Sequence, residues 1–127
     1  MSLRILLIVI GAVTLVFGLF FLLAPDTAIQ EFQTGVPDAA LRLSTRELGG
    51  GLISLTVINW LSSTDKGSRA LRAVIAGNIL YFLFNTGLDF TESFPATEIW
   101  YGVTILKVVF ILALGYFLVT WKEPARA

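Results

Sequence analysis

Residues 101–121, YGVTILKVVFILALGYFLVTW, are apolar almost throughout, and one lysine, Lys107, stands inside them. A run of about 20 predominantly apolar residues is long enough to cross the hydrocarbon of a bilayer as a helix. A charge at the centre of such a run costs roughly 2.5–3.5 kcal/mol on insertion scales. It is therefore paired inside the protein, faces a hydrated cavity, or extends its stem to the interface. Two expectations follow: the chain is built from membrane-spanning helices, and Lys107 is the first place to look for a function.

Working outward, residues 5–24 form an unbroken apolar run, and residues 48–64 and 73–88 are shorter uncharged runs that extend at both ends. Hydrophobic residues make up 56% of the 127 and charged residues 14%, against roughly 25% charged in an ordinary soluble domain. The expected architecture is all-α: one integral membrane domain over residues 1–127, a four-helix bundle. Its spans are expected at roughly 3–24, 38–63, 67–89 and 97–121, with an outer connection at 25–37. The first run is longer than the apolar region of a signal peptide, about 7–15 residues, and no A-x-A site follows it, so it reads as a true span.

Basic residues orient the spans. Arg4, the group Lys66, Arg69 and Arg72, and the pair Lys122 and Arg126 lie on one side. Asp26, Glu31, Asp38, Arg42, Arg46 and Glu47 surround the first connection, and the third carries Asp89, Glu92 and Glu98 with no base. This predicts an up-down-up-down bundle with both termini cytoplasmic. Trp60 and Trp121 then lie at the inner interface and Trp100 at the outer one. The segment SSTDKGS, residues 62–68, reads as a tight polar turn that makes the second and third spans antiparallel neighbours. Pro25 ends the first helix. Gly35 and Pro37 break the outer connection, a short interfacial turn falls near residues 28–32, and Asp38 caps the next helix.

Composition also excludes. Nine basic and nine acidic residues give no net charge, and no basic run invites a nucleic acid. With neither cysteine nor histidine, disulfides, thiol catalysis, iron–sulfur clusters and the usual haem, copper and zinc ligands are removed, along with the usual general base. No cofactor is expected, and a metal site would have to be built from carboxylates alone.

Depth brings the polar residues together. Lys107 lies nine residues past Glu98, about 13 Å down the helix. Arg46 and Glu47 stand eight and nine residues beyond Asp38, and Asn85 and Asp89 close the third span. Arg46, Glu47, Asp89 and Lys107 sum to zero charge, and intramembrane groups of this kind pair and mark functional interiors. Glu47 is the expected partner of Lys107, with Arg46 or Asn85 adding hydrogen bonds. The competing reading is a network that only fixes helix order and register. Asn78 and Asn85, seven apart, share a face that either lines a cavity with Tyr81 or binds neighbouring helices. Asn59 reads as structural. The run Gly49, Gly50 and Gly51 lets helices approach closely, with Gly11, Thr14 and Gly18 as the facing surface; alternatively, a ligand touches this bare backbone.

The stretches LSTRELGGGLISLTVINWL (43–61) and RALRAVIAGNILYFLFNTGLD (69–89), joined by the short polar turn, resemble small bacterial four-helix membrane proteins of the DoxX-like kind. Arg46 before the glycine run, Trp60 at the end of the second helix and Gly77-Asn78 within the third carry the resemblance. It implies a four-span topology and the bacterial cytoplasmic membrane. Some DoxX-type members belong to quinone-linked or thiosulfate-oxidising membrane systems, and the absence of cysteine and histidine stands against carrying that activity over.

The leading functional expectation is a small binding or accessory protein, a homo-oligomer or a subunit of a larger membrane complex. Its polar pocket in the outer leaflet would hold a lipid headgroup, a quinone or a small anion. Arg46 and Lys107 would supply positive charge, with Glu47 and Asp89 orienting them. The alternative is an oligomeric proton or ion conductor that relays through Glu47, Asp89 and Lys107, groups whose pKa values shift readily on burial. A membrane enzyme with Glu47 as base and Lys107 as acid is the least supported reading, because no nucleophile, metal cluster or cofactor loop accompanies them.

Overall fold

The computed structural model describes residues 1–32, 36–90 and 98–122, with Asp89 described by its backbone alone. Expectations placed on Gly35, Glu92, Arg126 and the Asp89 side chain lie outside the described residues. Five helices form: α1 (Leu3–Leu23), α2 (Pro25–Phe32), α3 (Ala39–Ser62), α4 (Arg69–Asp89) and α5 (Glu98–Val119). The protein is all-α, with no strand among the described residues. The long helices start and stop within two residues of the expected spans. Three of them, α1, α4 over residues 69–88 and α5, are long and apolar enough to cross a membrane. With 24 residues α3 has the length, but Arg42, Arg46, Glu47 and the glycine run dilute its apolar content.

Local chemistry sets the boundaries. Ser2 caps α1 by accepting the Ile5 amide. After Ala24, Pro25 has no N–H with which to continue the helix, and it serves instead as the first residue of α2, a position that suits its fixed φ. The expected interfacial turn is thus a helix of two turns, seated on the bundle by buried Ala28 and Ile29. Asp26 in its first turn accepts from Arg42 Nε at 2.7 Å, tying α2 to the start of α3. Asp38 caps α3, its Oδ1 accepting the Leu41 amide at 2.8 Å.

Asp65 organises the 63–68 turn. Its Oδ1 accepts from the amides of Gly67 and Ser68 at 2.9 and 2.8 Å, and its Oδ2 accepts from the Ser68 hydroxyl at 2.5 Å. These donors hold the Asp65 carboxyl below its ordinary range, the Ser68 hydroxyl most of all. Gly67 has φ +110°, a conformation that a side chain would strain. Ser68 then caps α4.

Two antiparallel helix pairs build the interior. Along α1 and α3, Gly18 meets Gly49 and Gly11 meets Trp60, while the hydroxyls of Thr14 and Thr56 lie 2.9 Å apart. A Cβ on Gly49 would sit 2.7 Å from the Gly18 carbonyl oxygen, so the backbones touch. The Trp60 indole covers Gly11 and donates to the Ile8 carbonyl at 3.2 Å. The expected packing role of Gly11, Thr14 and Gly18 is therefore what the seam shows. In the second pair, Phe82 of α4 stacks against Phe110 of α5, with ring centres 5.6 Å apart.

The pairs join each other through Leu6, Leu7 and Ile10 of α1, Leu71 and Ile75 of α4 and Leu114 of α5, all deeply buried. A reciprocal amide pair reinforces this join. Asn59 donates to Asn78 at 3.0 Å and Asn78 donates to Asn59 at 2.9 Å. Each amide also donates to the carbonyl four residues back. The helices on either side of the polar turn thus run antiparallel, as expected, yet α3 packs chiefly on α1 and α4 chiefly on α5.

Candidate ligand cavity

Toward the end of the bundle that carries α2, the space between the pairs is not filled by side chains. A cavity of about 530 Å³ opens there. Helical periodicity explains its walls. On α5, Trp100, Val103, Thr104, Lys107 and Phe110 follow the three-and-four spacing of one helix face and all line it. On α4, Tyr81, Asn85 and Leu88 do the same, and α1 contributes Val13, Phe17 and Phe21. From α3 come Leu48 and Leu52, and from α2 Phe32. Phe32 packs its ring on Phe17, Phe20 and Phe21 at centre distances of 6.1, 6.5 and 5.6 Å. These edge-on contacts close one side of the space with aromatic rings, a favoured arrangement for such side chains.

Polar groups are gathered on the α4–α5 wall. Lys107 is half-buried and its Nζ donates to Asn85 Oδ1 at 3.4 Å, a long hydrogen bond. Tyr81, one turn before Asn85 on α4, lines the same wall. Thr104, three residues before Lys107, is only 8% exposed, and its hydroxyl has no hydrogen-bond partner in the protein. Across the cavity, the Thr14 hydroxyl is committed to the carbonyls of Ile10 and Gly11 and to Thr56.

The expected site residues separate into three groups. Lys107, Asn85 and Tyr81 come together on the cavity wall. Asn78 does not reach it, because its amide is spent on Asn59. Arg46 and Glu47 are exposed and face away, so the expected ion pair between Glu47 and Lys107 does not form, and Arg46 adds no hydrogen bond to Lys107. The cause is the seam with α1. Thr45, Gly49, Leu52, Thr56 and Asn59 are the buried residues of α3, and at 3.6 residues per turn that stripe turns the next two positions outward. The glycine run divides in the same way: Gly49 is in the seam, and Gly50 and Gly51 have nothing within 4 Å of where a Cβ would stand. Equal depth therefore did not imply a shared face. Thr104 was missed, although a hydroxyl three residues from the lysine in an apolar run carried the signal. Among the described residues no group of carboxylates could hold a metal ion.

Residues 2–87 match DUF4345, a domain of unknown function. The chain belongs to that family. The DUF4345 match takes in α1 to α3 and most of α4 and stops before α5, the helix that supplies Thr104 and Lys107. No curated protein and no solved structure matches the chain.

Proposed function

We propose that this DUF4345 protein is an integral membrane protein that holds one largely apolar molecule, taken from the lipid phase, in the cavity between its two helix pairs. The observation that carries this reading is an aromatic-walled space of about 530 Å³ on one wall of which Tyr81, Asn85, Thr104 and Lys107 converge. Small-molecule sites span about 300–1,000 Å³ and combine apolar walls with a few convergent polar groups in this way. The reading takes α3 as a fourth span beside α1 in a four-helix bundle of a bacterial inner membrane, as the DoxX-like resemblance implies, running up-down-up-down with both termini on the cytoplasmic side, as the basic residues suggest. Arg42, Arg46 and Glu47 lie in the first turns of α3, beside α2, and in this arrangement they reach the outer headgroups along the helix surface. Membrane lipids are then the source of the ligand. The outer face of α3, bare at Gly50 and Gly51, offers a second copy or another membrane protein a close approach.

The relay reading is not carried forward, because Glu47 is turned away from Lys107. The test is native mass spectrometry of the detergent-purified protein with lipids retained. Wild type is expected to carry one added mass per chain, and Val103→Trp, which puts an indole into the space, is expected to carry less of it. Spectra that show no added mass in either protein would sink the proposal.

A further inference from the structure

Resting on the reading of α3 as a fourth span, we propose that two copies of this chain pair along the outward face of α3, with Arg46 of each copy set against Glu47 of the other. The buried stripe of α3, from Thr45 to Asn59, lies against the rest of the chain. The opposite face carries Leu43, Glu47, Gly50, Ser54, Val57 and Leu61, spaced by alternating steps of four and three residues. Such a spacing keeps one line of a helix against a parallel partner along its length. Leu43, Val57 and Leu61 leave the ends of this line as open apolar surface. Its middle differs: Arg46, Glu47, Gly50, Gly51 and Ser54 present no large apolar side chain to lipid. The outward faces of α1, α4 and α5 instead show Val16, Leu80, Phe84 and Leu112. Polar groups on the outside of a span suit contact with protein better than contact with acyl chains.

Charge selects a second copy as the occupant. Among the described residues neither Arg46 nor Glu47 forms an ion pair. The two are adjacent, so they stand about 100° apart around the helix, on either side of the line through Gly50 and Ser54. Copies inserted the same way run parallel, and a two-fold axis along that line exchanges its sides. Arg46 of one copy then lies on the same side as the partner's Glu47, and symmetry repeats the pair. Gly50 and Ser54, one turn apart, allow the backbones to approach. Nothing stands within 4 Å of where a Cβ of Gly50 would lie. The Ser54 hydroxyl already donates to the Gly50 carbonyl at 3.1 Å, so it enters the contact with its donor satisfied. The small residues set how close the copies come; the charges set the partner and the register.

The chain has no cysteine, so single cysteines report contacts without background. The full chain carrying Ser54→Cys or Val57→Cys is oxidised with copper phenanthroline in bacterial membranes and read on non-reducing gels. Val16→Cys on α1, Leu80→Cys on α4 and Leu112→Cys on α5 are the controls. The α3 variants are expected to give a band of twice the chain mass, and the controls are not. Adding Glu47→Arg to Ser54→Cys brings like charges together at two symmetric points and should lower the yield about fivefold. Adding Arg46→Glu as well exchanges the signs and should restore the yield, which it would not do for a helix that had merely misfolded. Equal yields on α3 and the controls, no double-mass band, or a yield indifferent to Glu47→Arg or unrestored by the exchange overturns the pairing. A band at another mass gives the face to a different protein and overturns it too. A membrane-impermeant maleimide, applied to opened and unoxidised membranes, separates this failure from that of the span. Thiols of Ser54→Cys and Val57→Cys that stay shielded leave α3 a span. Thiols that react as readily as that of Lys66→Cys in the polar turn overturn the fourth span as well.

Discussion

Replacing Gly49 by alanine, with Gly50→Ala and Gly51→Ala as companions, isolates the α1–α3 seam within a single run of three glycines. Alanine is favoured over glycine in a helix interior by about 1 kcal/mol. At Gly50 and Gly51 nothing stands within 4 Å of the new methyl, so this gain is unopposed and each variant should be about 0.5–1 kcal/mol more stable. At Gly49 the methyl would lie 2.7 Å from the Gly18 carbonyl oxygen and 2.9 Å from the Leu22 amide nitrogen, both backbone atoms that no rotamer change can move. Contact optima near 3.5–4.0 Å require α1 and α3 to part by roughly 1 Å, and a gap of that size forfeits about a quarter to a half of each facing dispersion well. The same parting stretches the 2.9 Å bond between Thr14 and Thr56. Overpacking costs about 1–3 kcal/mol and the strained hydrogen bond about 1 more. Set against the propensity gain of about 1 kcal/mol, the net effect is a loss of about 1–3 kcal/mol. Reversible unfolding in mixed dodecyl sulfate and maltoside micelles, followed by far-ultraviolet circular dichroism, measures all three. If Gly49→Ala unfolds at the same denaturant fraction as Gly51→Ala, the backbone contact does not hold the pair together and the seam is wrongly described.

Other substitutions test the remaining joins. Asn78→Leu should cost about 1–3 kcal/mol, because it leaves the buried Asn59 amide without its interhelical partner, and adding Asn59→Leu should recover most of that loss in the same unfolding assay. Ser68, and to a lesser degree Gly67, holds the Asp65 carboxyl below its ordinary value. Its contribution is therefore complete above the unfolded pKa, about 3.9, and drains away as pH falls through the lower folded value. Thermal melts across that acid range should show Asp65→Asn with a flatter decline than wild type. Arg42 and Asp26 form an ion pair that is about half exposed on each side, so Arg42→Ala should lower the melting temperature only slightly, and added salt should narrow the difference.

Helix positions were legible because each had a local cause. The apolar run of residues 5–24, Pro25, the Asp38 cap and the Asp65–Gly67–Ser68 turn act within a few residues of where they stand. Asn59 as a structural residue and Gly11, Thr14 and Gly18 as a packing face were legible for a similar reason. Small and amide side chains in apolar helices have few uses other than contact with another helix. Asn85 as a hydrogen-bond partner of Lys107 was legible, but that Glu47 turns away from it was not, because that depends on how far α3 is rotated. That rotation is set by Gly49 against Gly18 and by Trp60 over Gly11, contacts between residues 31 and 49 positions apart in the chain. Depth along a helix can be counted from sequence at 1.5 Å per residue. Azimuth relative to a distant helix cannot, and the cavity itself is a consequence of azimuth.

Hydrogen-bond inventory separates the polar groups that hold this protein together from those left for something else. Asn59 and Asn78 meet as equals: each offers an amide donor and a carbonyl acceptor, and each is consumed by the other and by its own helix. Thr14 and Thr56 are likewise matched, with hydroxyls bonded to each other and to the preceding turn. Such closed pairs meet the demand that an apolar surrounding places on buried polar atoms. The α4–α5 wall does not close. It holds the Thr104 hydroxyl, buried and with no protein partner. A polar pair serving only helix register had a matched form available, and this chain uses that form twice elsewhere. The Thr104 hydroxyl stands where the two helix pairs leave room for another molecule, which supports the proposed use of that space, whereas the asparagine and threonine pairs serve architecture.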